Sequence, residues 1–169
     1  MTGSLHSISG SAWLLGDHVN TDMLHPPAYF SLDAATVQKG LSEGMRRLDS
    51  AAMEKAPDLI IVAGRNFGCG SSRETSVRAL RDGGVRAVVA RSFARIFYRS
   101  LVNAGIPALV YPASTGLPGE GERVTVDLDK CVLSGCGFEA LPLEPPDPHV
   151  QRILDAGGLV ALLEMELQR

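Results

Sequence analysis

What this 169-residue sequence has least of narrows it first. Its three cysteines, Cys69, Cys131 and Cys136, are odd in number and follow no disulfide framework, which points to a reducing, cytoplasmic setting. None belongs to a Cys-x-x-Cys pair, and Cys131 and Cys136 fall in a stretch that reads as a hairpin. No metal or cluster is therefore expected on this chain alone. His6, His18, His25 and His149 are scattered without HExxH spacing and read as surface residues. No apolar run reaches membrane-spanning length, and the first residues lack the basic and apolar blocks of a signal peptide. The absence of Gly-Lys-Ser/Thr excludes a Walker loop. Aromatics make up 5% and the net charge is −3, a poor match to nucleic acid. There is no internal repeat and no low-complexity tract.

With 45% hydrophobic and 21% charged residues, the chain is an ordinary globular one, and residues 1–169 suffice for a single domain with a real core. The charge is unevenly spread. Residues 65–99 hold eight arginines, no lysine, and only Glu74 and Asp82 as acids, so this segment carries about +6 and the remainder about −9. Solvated faces absorb several of these arginines. Exclusive use of arginine also suits planar, bidentate recognition of carboxylates.

The segment is organised around Gly64-Arg-Asn-Phe-Gly-Cys-Gly-Ser-Ser-Arg-Glu74. The apolar run 58–63 before it reads as a buried strand. Val77 and Leu80 after it give a helical face that stops at Gly83-Gly84. Gly64, Gly68 and Gly70 allow close backbone approach, and the helix start turns its free N–H groups and positive dipole end toward the loop. With Ser71, Ser72 and Arg73 at that turn, the unit reads as a site for a carboxylate or phosphate. Two other readings stand beside it. Ser71-x-x-Glu74 is also a capping box, and Gly68-x-Gly70-x-x-Arg73 imitates a dinucleotide fingerprint, with Arg91 placed to suit NADP.

In chain order, residues 1–11 read as loose and 12–15 as a short strand. A turn-rich stretch through Asn20-Thr-Asp22 and His25-Pro-Pro27 follows. Residues 29–53 read as largely helical, with Leu32, Val37, Leu41, Met45 and Leu48 on the apolar face. Strands at 85–90 and 106–111 and a helix at 93–103, capped by Ser92 and ended by Gly105, complete a β-α-β-α-β run over 58–111. That run implies a parallel, right-handed core with ligand at the strand C-termini. Beyond a glycine- and proline-rich loop at 114–122, residues 124–129 and 131–133 read as an antiparallel hairpin. Residues 142–148 form a stiff linker, and 149–167 a helix broken at Gly157-Gly158.

The Gly64–Glu74 motif, with Ala90-Arg-Ser-Phe-Ala-Arg-Ile-Phe-Tyr-Arg99 downstream, resembles the small subunits of isopropylmalate dehydratases, the swivelling C-terminal domain of the aconitase superfamily. Gly16-Asp-His-Val-Asn-Thr-Asp22 matches the family's N-terminal signature and Ile153-Leu-Asp-Ala-Gly-Gly-Leu159 its usual ending, so the resemblance spans nearly the whole chain. It implies an α/β fold, a single swivelling β/β/α domain with a parallel βαβαβ core and an added antiparallel hairpin. It also implies a hydro-lyase of leucine biosynthesis, active only with a large subunit that carries a 4Fe-4S cluster. Ser71 matches the family's catalytic base. The resemblance implies substrate contacts from Ser72, Arg73 and Gly70, from Asp22, and from Tyr29, Phe30 and Ser31 of the following loop. Many relatives carry Tyr-Leu-Arg or Tyr-Leu-Val there, and this chain has Tyr29-Phe-Ser31. The missing arginine argues for an alkylmalate, isopropylmalate first, over a tricarboxylate; a methylmalate, dimethylmalate or homoaconitate hydratase small subunit is the alternative within the family. An NADP-binding domain and a non-catalytic assembly subunit are the readings of other classes.

Overall fold

The computed structural model describes residues 7–50, 54, 56–70, 73–112 and 116–168. Seven strands form one sheet in the order β4-β3-β2-β1-β5-β6-β7. The strands are β1 (Ser7–Leu15), β2 (Leu59–Ala63), β3 (Val85–Ala90), β4 (Ala108–Val110), β5 (Arg123–Asp127), β6 (Val132–Gly135) and β7 (Leu141–Pro142). β1 is the seam: it pairs parallel with β2 on one side and antiparallel with β5 on the other. β2, β3 and β4 continue the parallel half, and β5, β6 and β7 the antiparallel half.

The helices are α1 (Thr21–Leu24), α2 (Ala34–Arg47), α3 (Glu74–Asp82), α4 (Arg95–Asn103), α5 (Pro148–Asp155) and α6 (Leu159–Leu167), with a 3-10 turn at Pro27–Tyr29. The β-α-β-α-β reading of residues 58–111 therefore holds, as do the hairpin and the C-terminal helix broken at Gly157-Gly158.

β2 is buried on both faces, which is why it is a continuous apolar run rather than an alternating one. Leu59, Ile61 and Ala63 join one core with Trp13 and the inner faces of α1 to α4. Ile60 and Val62 join a second core with Ala87, Val89, Leu109, Tyr111, Val124, Val126 and Leu133. That second core mixes both halves of the sheet, so the antiparallel half curls over the parallel one. The curl is closed by the backbone of Glu144, which donates to the carbonyl of Val110 at 2.7 Å. The hairpin is thus part of the main sheet.

α1 and the 3-10 turn lie on α2 through two glycines one turn apart. A methyl on Gly44 would meet the carbonyl of Leu24, and one on Gly40 the ring of His25 and the Cβ of Tyr29. Val37, Leu41 and Met45 bury the adjoining stripe. This packing fixes where residues 25–30 lie, and so one wall of the candidate site.

Four expectations need correction. Residues 7–11 are strand, not loose: Ile8 and Gly10 are buried while Ser7 and Ser9 look outward, and the segment pairs with β5. α2 starts at Ala34 behind an Asp33 cap, whose carboxylate accepts from Thr36 at 2.8 Å, and ends at Arg47. Leu32 precedes that cap and is 91% exposed, so it lies outside the apolar face. Residues 51–53 of the expected helix fall outside the described residues. Ser92 does not cap α4, which starts at Arg95 behind Ala94. The Ser92 hydroxyl instead accepts from the backbone of Asn66 at 2.8 Å.

Candidate active site

Parallel β1, β2 and β3 all end on the same side, and the loops leaving them are stitched into one layer. The Phe67 N–H donates to Ser92 O at 3.0 Å, and the Ala94 N–H returns to Phe67 O at 2.9 Å. On the other flank the Gly68 N–H donates to Val19 O at 2.9 Å, and the Thr21 N–H to Cys69 O at 3.1 Å. The glycine-rich loop thus extends the sheet between residues 19–21 and 92–94, with its backbone groups paired on both sides.

Its side chains and missing side chains have local reasons. The Arg65 N–H donates to Asp17 Oδ1 at 2.7 Å, and its guanidinium forks onto Oδ2 at 3.0 and 2.8 Å. These bonds hold the Asp17 carboxyl below the usual carboxylate range, the backbone bond foremost. They also hold the Arg65 guanidinium as an exposed ion pair. Asn66 sits at φ 55°, and its amide donates to His18 Nδ1 at 3.2 Å. Gly68 sits at φ 77°, and a methyl there would run into the ring of buried Phe97. Its bareness therefore serves packing, where the dinucleotide reading needed it open to a pyrophosphate. Arg91 lies with Arg95 and Arg99 around a separate groove of about 280 Å³ beside Ser92 and Phe93.

Beyond Gly70, at φ 99° and beside Asn20, the chain passes Ser71 and Ser72 to Arg73. Ser71 and Ser72 lie outside the described residues. α3 begins at Glu74 with Arg73 as its N-cap, and among the described residues no side chain caps it. The capping box would have put that cap at Ser71, which lies outside the described residues. Ser76, in the first turn of α3, is buried with its hydroxyl unpartnered among the described residues. A helix start beside a glycine turn, with no cap among the described residues, is an anion-binding geometry.

The guanidinium of Arg73 lies over the ring of Phe30, 4.8 Å from its centroid. Phe30 in turn stacks on His25 at 5.4 Å and 29°. His25 had been expected at the surface and is instead 1% exposed. Its Nε2 contacts Val37 O at 3.1 Å, and burial pushes its pKa down, so the ring stays neutral with its proton on Nε2. The sequence read His25 as one polar residue in a turn. The signal for burial was Gly40, which leaves room for the ring, with Gly44, which lets the α1 backbone approach α2.

The remaining expected residues are less closely grouped. Asp22 is exposed on the first turn of α1, two residues after Asn20, whose side chain accepts from Met23 N at 2.9 Å. Tyr29 is half-buried against Gly40, and the Ser31 hydroxyl accepts from Asp33 N at 3.0 Å. The structure brings Arg73 and Phe30 into contact and sets Gly70 beside Asn20.

Cys69 belongs to this layer, but Cys131 lies in the β5–β6 turn and Cys136 just past β6. The three do not form a ligand set, and no group of three or more His, Cys, Asp or Glu among the described residues fits a metal. No helix among them is long and apolar enough to cross a membrane.

The curled seven-stranded sheet, with helices and a glycine-rich, arginine-bearing loop at its parallel mouth, is a mixed α/β domain, and the profile of the aconitase C-terminal domain matches residues 34–114. The 3-isopropylmalate dehydratase small subunit 1 of Methanopyrus kandleri is 42% identical over 165 residues, covering 94% of each chain. A homoaconitase small subunit of Methanothermobacter thermautotrophicus is 39% identical over 90% of this chain and 88% of its own. The crystal structure of 3-isopropylmalate dehydratase (LeuD) from Methanocaldococcus jannaschii superposes with a TM-score of 0.84 at 36% identity, covering 96% of both chains. The chain belongs to the aconitase C-terminal-domain family, among the small subunits of its 3-isopropylmalate dehydratase branch.

Proposed function

We propose that this chain is the small subunit of a cytoplasmic hydro-lyase that isomerises an alkylmalate, 3-isopropylmalate foremost, in partnership with a large subunit. The observation that carries this is the start of α3 at Arg73, which no side chain caps among the described residues and which follows a glycine turn at the mouth of the parallel strands. Its N–H groups and the Arg73 fork suit a carboxylate. The chemistry is dehydration followed by rehydration, with a proton leaving the carbon next to the hydroxyl-bearing one. Ser71 is the base that takes that proton and returns it on rehydration, a role that calls for positive surroundings such as those of a helix N-terminus. Ser72, Arg73 and the Gly70 backbone hold carboxylate oxygens.

Among the described residues no ligand set fits an iron–sulfur cluster, and this reading assigns the 4Fe-4S cluster to the large subunit. When bound there it supplies Lewis acidity toward the departing hydroxyl. The alkyl preference rests on the 27–32 loop, where Ser31 stands in place of an arginine. Arg46 and Arg47 cannot replace it. They pair with Glu43 at the far end of α2, about 18 Å along the helix from its start. Arg78 does reach the loop, but its guanidinium donates to the backbone carbonyl of Leu32 at 3.1 Å.

Reconstitution is the test. The chain alone should be colourless and inactive, and should gain 3-isopropylmalate isomerase activity when mixed with an iron–sulfur large subunit. Stoichiometric iron on the isolated chain, or activity without the partner, would refute the proposal.

A further inference from the structure

Among the arginines of the 65–99 segment, four are held by carboxylates. Arg65 pairs with Asp17, Arg78 and Arg81 with Asp82, and Arg86 with Asp58. Arg73, like Arg91, Arg95 and Arg99, has no such partner among the described residues, and it rests instead on the face of Phe30. A ring face restrains a guanidinium plane while leaving its N–H edges free for a carboxylate. Phe30 is itself backed by His25, which is buried, bonded to Val37 O, and wedged into space that Gly40 leaves empty. The second nitrogen of His25 has no partner among the described residues, a cost that an aliphatic residue at this position would avoid. The ring contributes a flat, rigid floor under Phe30.

We infer that His25 and Phe30 are positioning residues, a stack running from α2 to the surface that presents Arg73 to the substrate carboxylate. This rests on the reading of Arg73 as a carboxylate ligand. Phe30 then acts through Arg73 rather than by touching the substrate. Because the column orders the arginine before binding, it acts on substrate affinity more than on the chemical step.

The test is a set of steady-state kinetics with 3-isopropylmalate on the complex of this chain with its large subunit. Phe30→Leu keeps an apolar side chain but removes the ring face, and should raise KM about two- to fivefold with a smaller change in kcat. Phe30→Tyr keeps the face and should restore the wild-type KM. In an Arg73→Lys background, Phe30→Leu should add little, because the two changes remove one arrangement. His25→Leu should repeat the Phe30→Leu pattern and His25→Phe should not; if either fails to fold, the Phe30 set still decides. A wild-type KM in Phe30→Leu, or full additivity with Arg73→Lys, overturns the inference while leaving Arg73 in place. Wild-type kinetics in Arg73→Lys itself overturns the assignment of Arg73 and the inference with it.

Discussion

Gly68→Ala is the substitution that probes most directly how the loop is held. Gly68 combines a φ of 77° with a missing Cβ whose place is filled by the ring of Phe97, which is fully buried. An alanine in the left-handed region costs about 1–2 kcal/mol. Forcing a methyl into a packed aromatic cluster adds about 1–3 kcal/mol, so the total is about 2–5 kcal/mol. Relief is hard to find, because Phe97 also packs edge-on to Phe67 at 5.7 Å and α4 cannot retreat without opening that contact. Urea unfolding of the chain should therefore show a midpoint lower by about 1–2 M at an unchanged slope. Phe97→Leu in the same chain removes the ring atoms that the methyl would strike. The double variant should then lose less than the sum of the two singles. A midpoint within error of wild type in Gly68→Ala would refute the packing role and reopen the loop to a ligand at that position.

Ser31→Arg should move the kcat/KM ratio toward the tricarboxylate homoaconitate by about 10- to 100-fold, the worth of one charge-assisted contact. Competition kinetics on both substrates checks it. His25 makes the fold sensitive to acid. Its unfolded imidazole titrates near 6.5 and the buried one lower, so below about pH 6.5 the unfolded chain binds more protons. Stability should fall as pH drops through that value and level off below the folded pKa. Thermal melts should lose this slope in His25→Gln.

The strand–loop–helix unit was legible because local rules and tertiary structure agree there. β2 is a short apolar run bounded by Asp58 and Gly64, and β3 ends at Ala90 where Arg91 breaks the apolar pattern. Ser7 to Ser11 misled because small polar residues read as loop. Their strand character comes from pairing with β5, more than a hundred residues later, and with β2 at its end. The same limit hid the Asp17–Arg65 fork and the Ser92–Asn66 bond, which join residues 48 and 26 positions apart. Ser92 satisfied a helix-capping rule, but the loop layer needed its hydroxyl more than α4 did. His25 was misjudged because composition assigns lone histidines to the surface, while the glycines of α2 that make room for it and for the α1 backbone look like poor helix residues until α1 is laid on them. The chemistry was legible only through the family motifs, since an anion site at a helix start does not by itself name a reaction.

The central claim is that Ser71 is the base of a two-subunit dehydratase, and it is tested most directly by single-turnover and steady-state assays of Ser71→Ala in the assembled complex. The account predicts that kcat falls by about 10²-fold or more. KM and the affinity of this chain for the large subunit should stay near wild type. A kcat within a few-fold of wild type, with the complex intact, would contradict it.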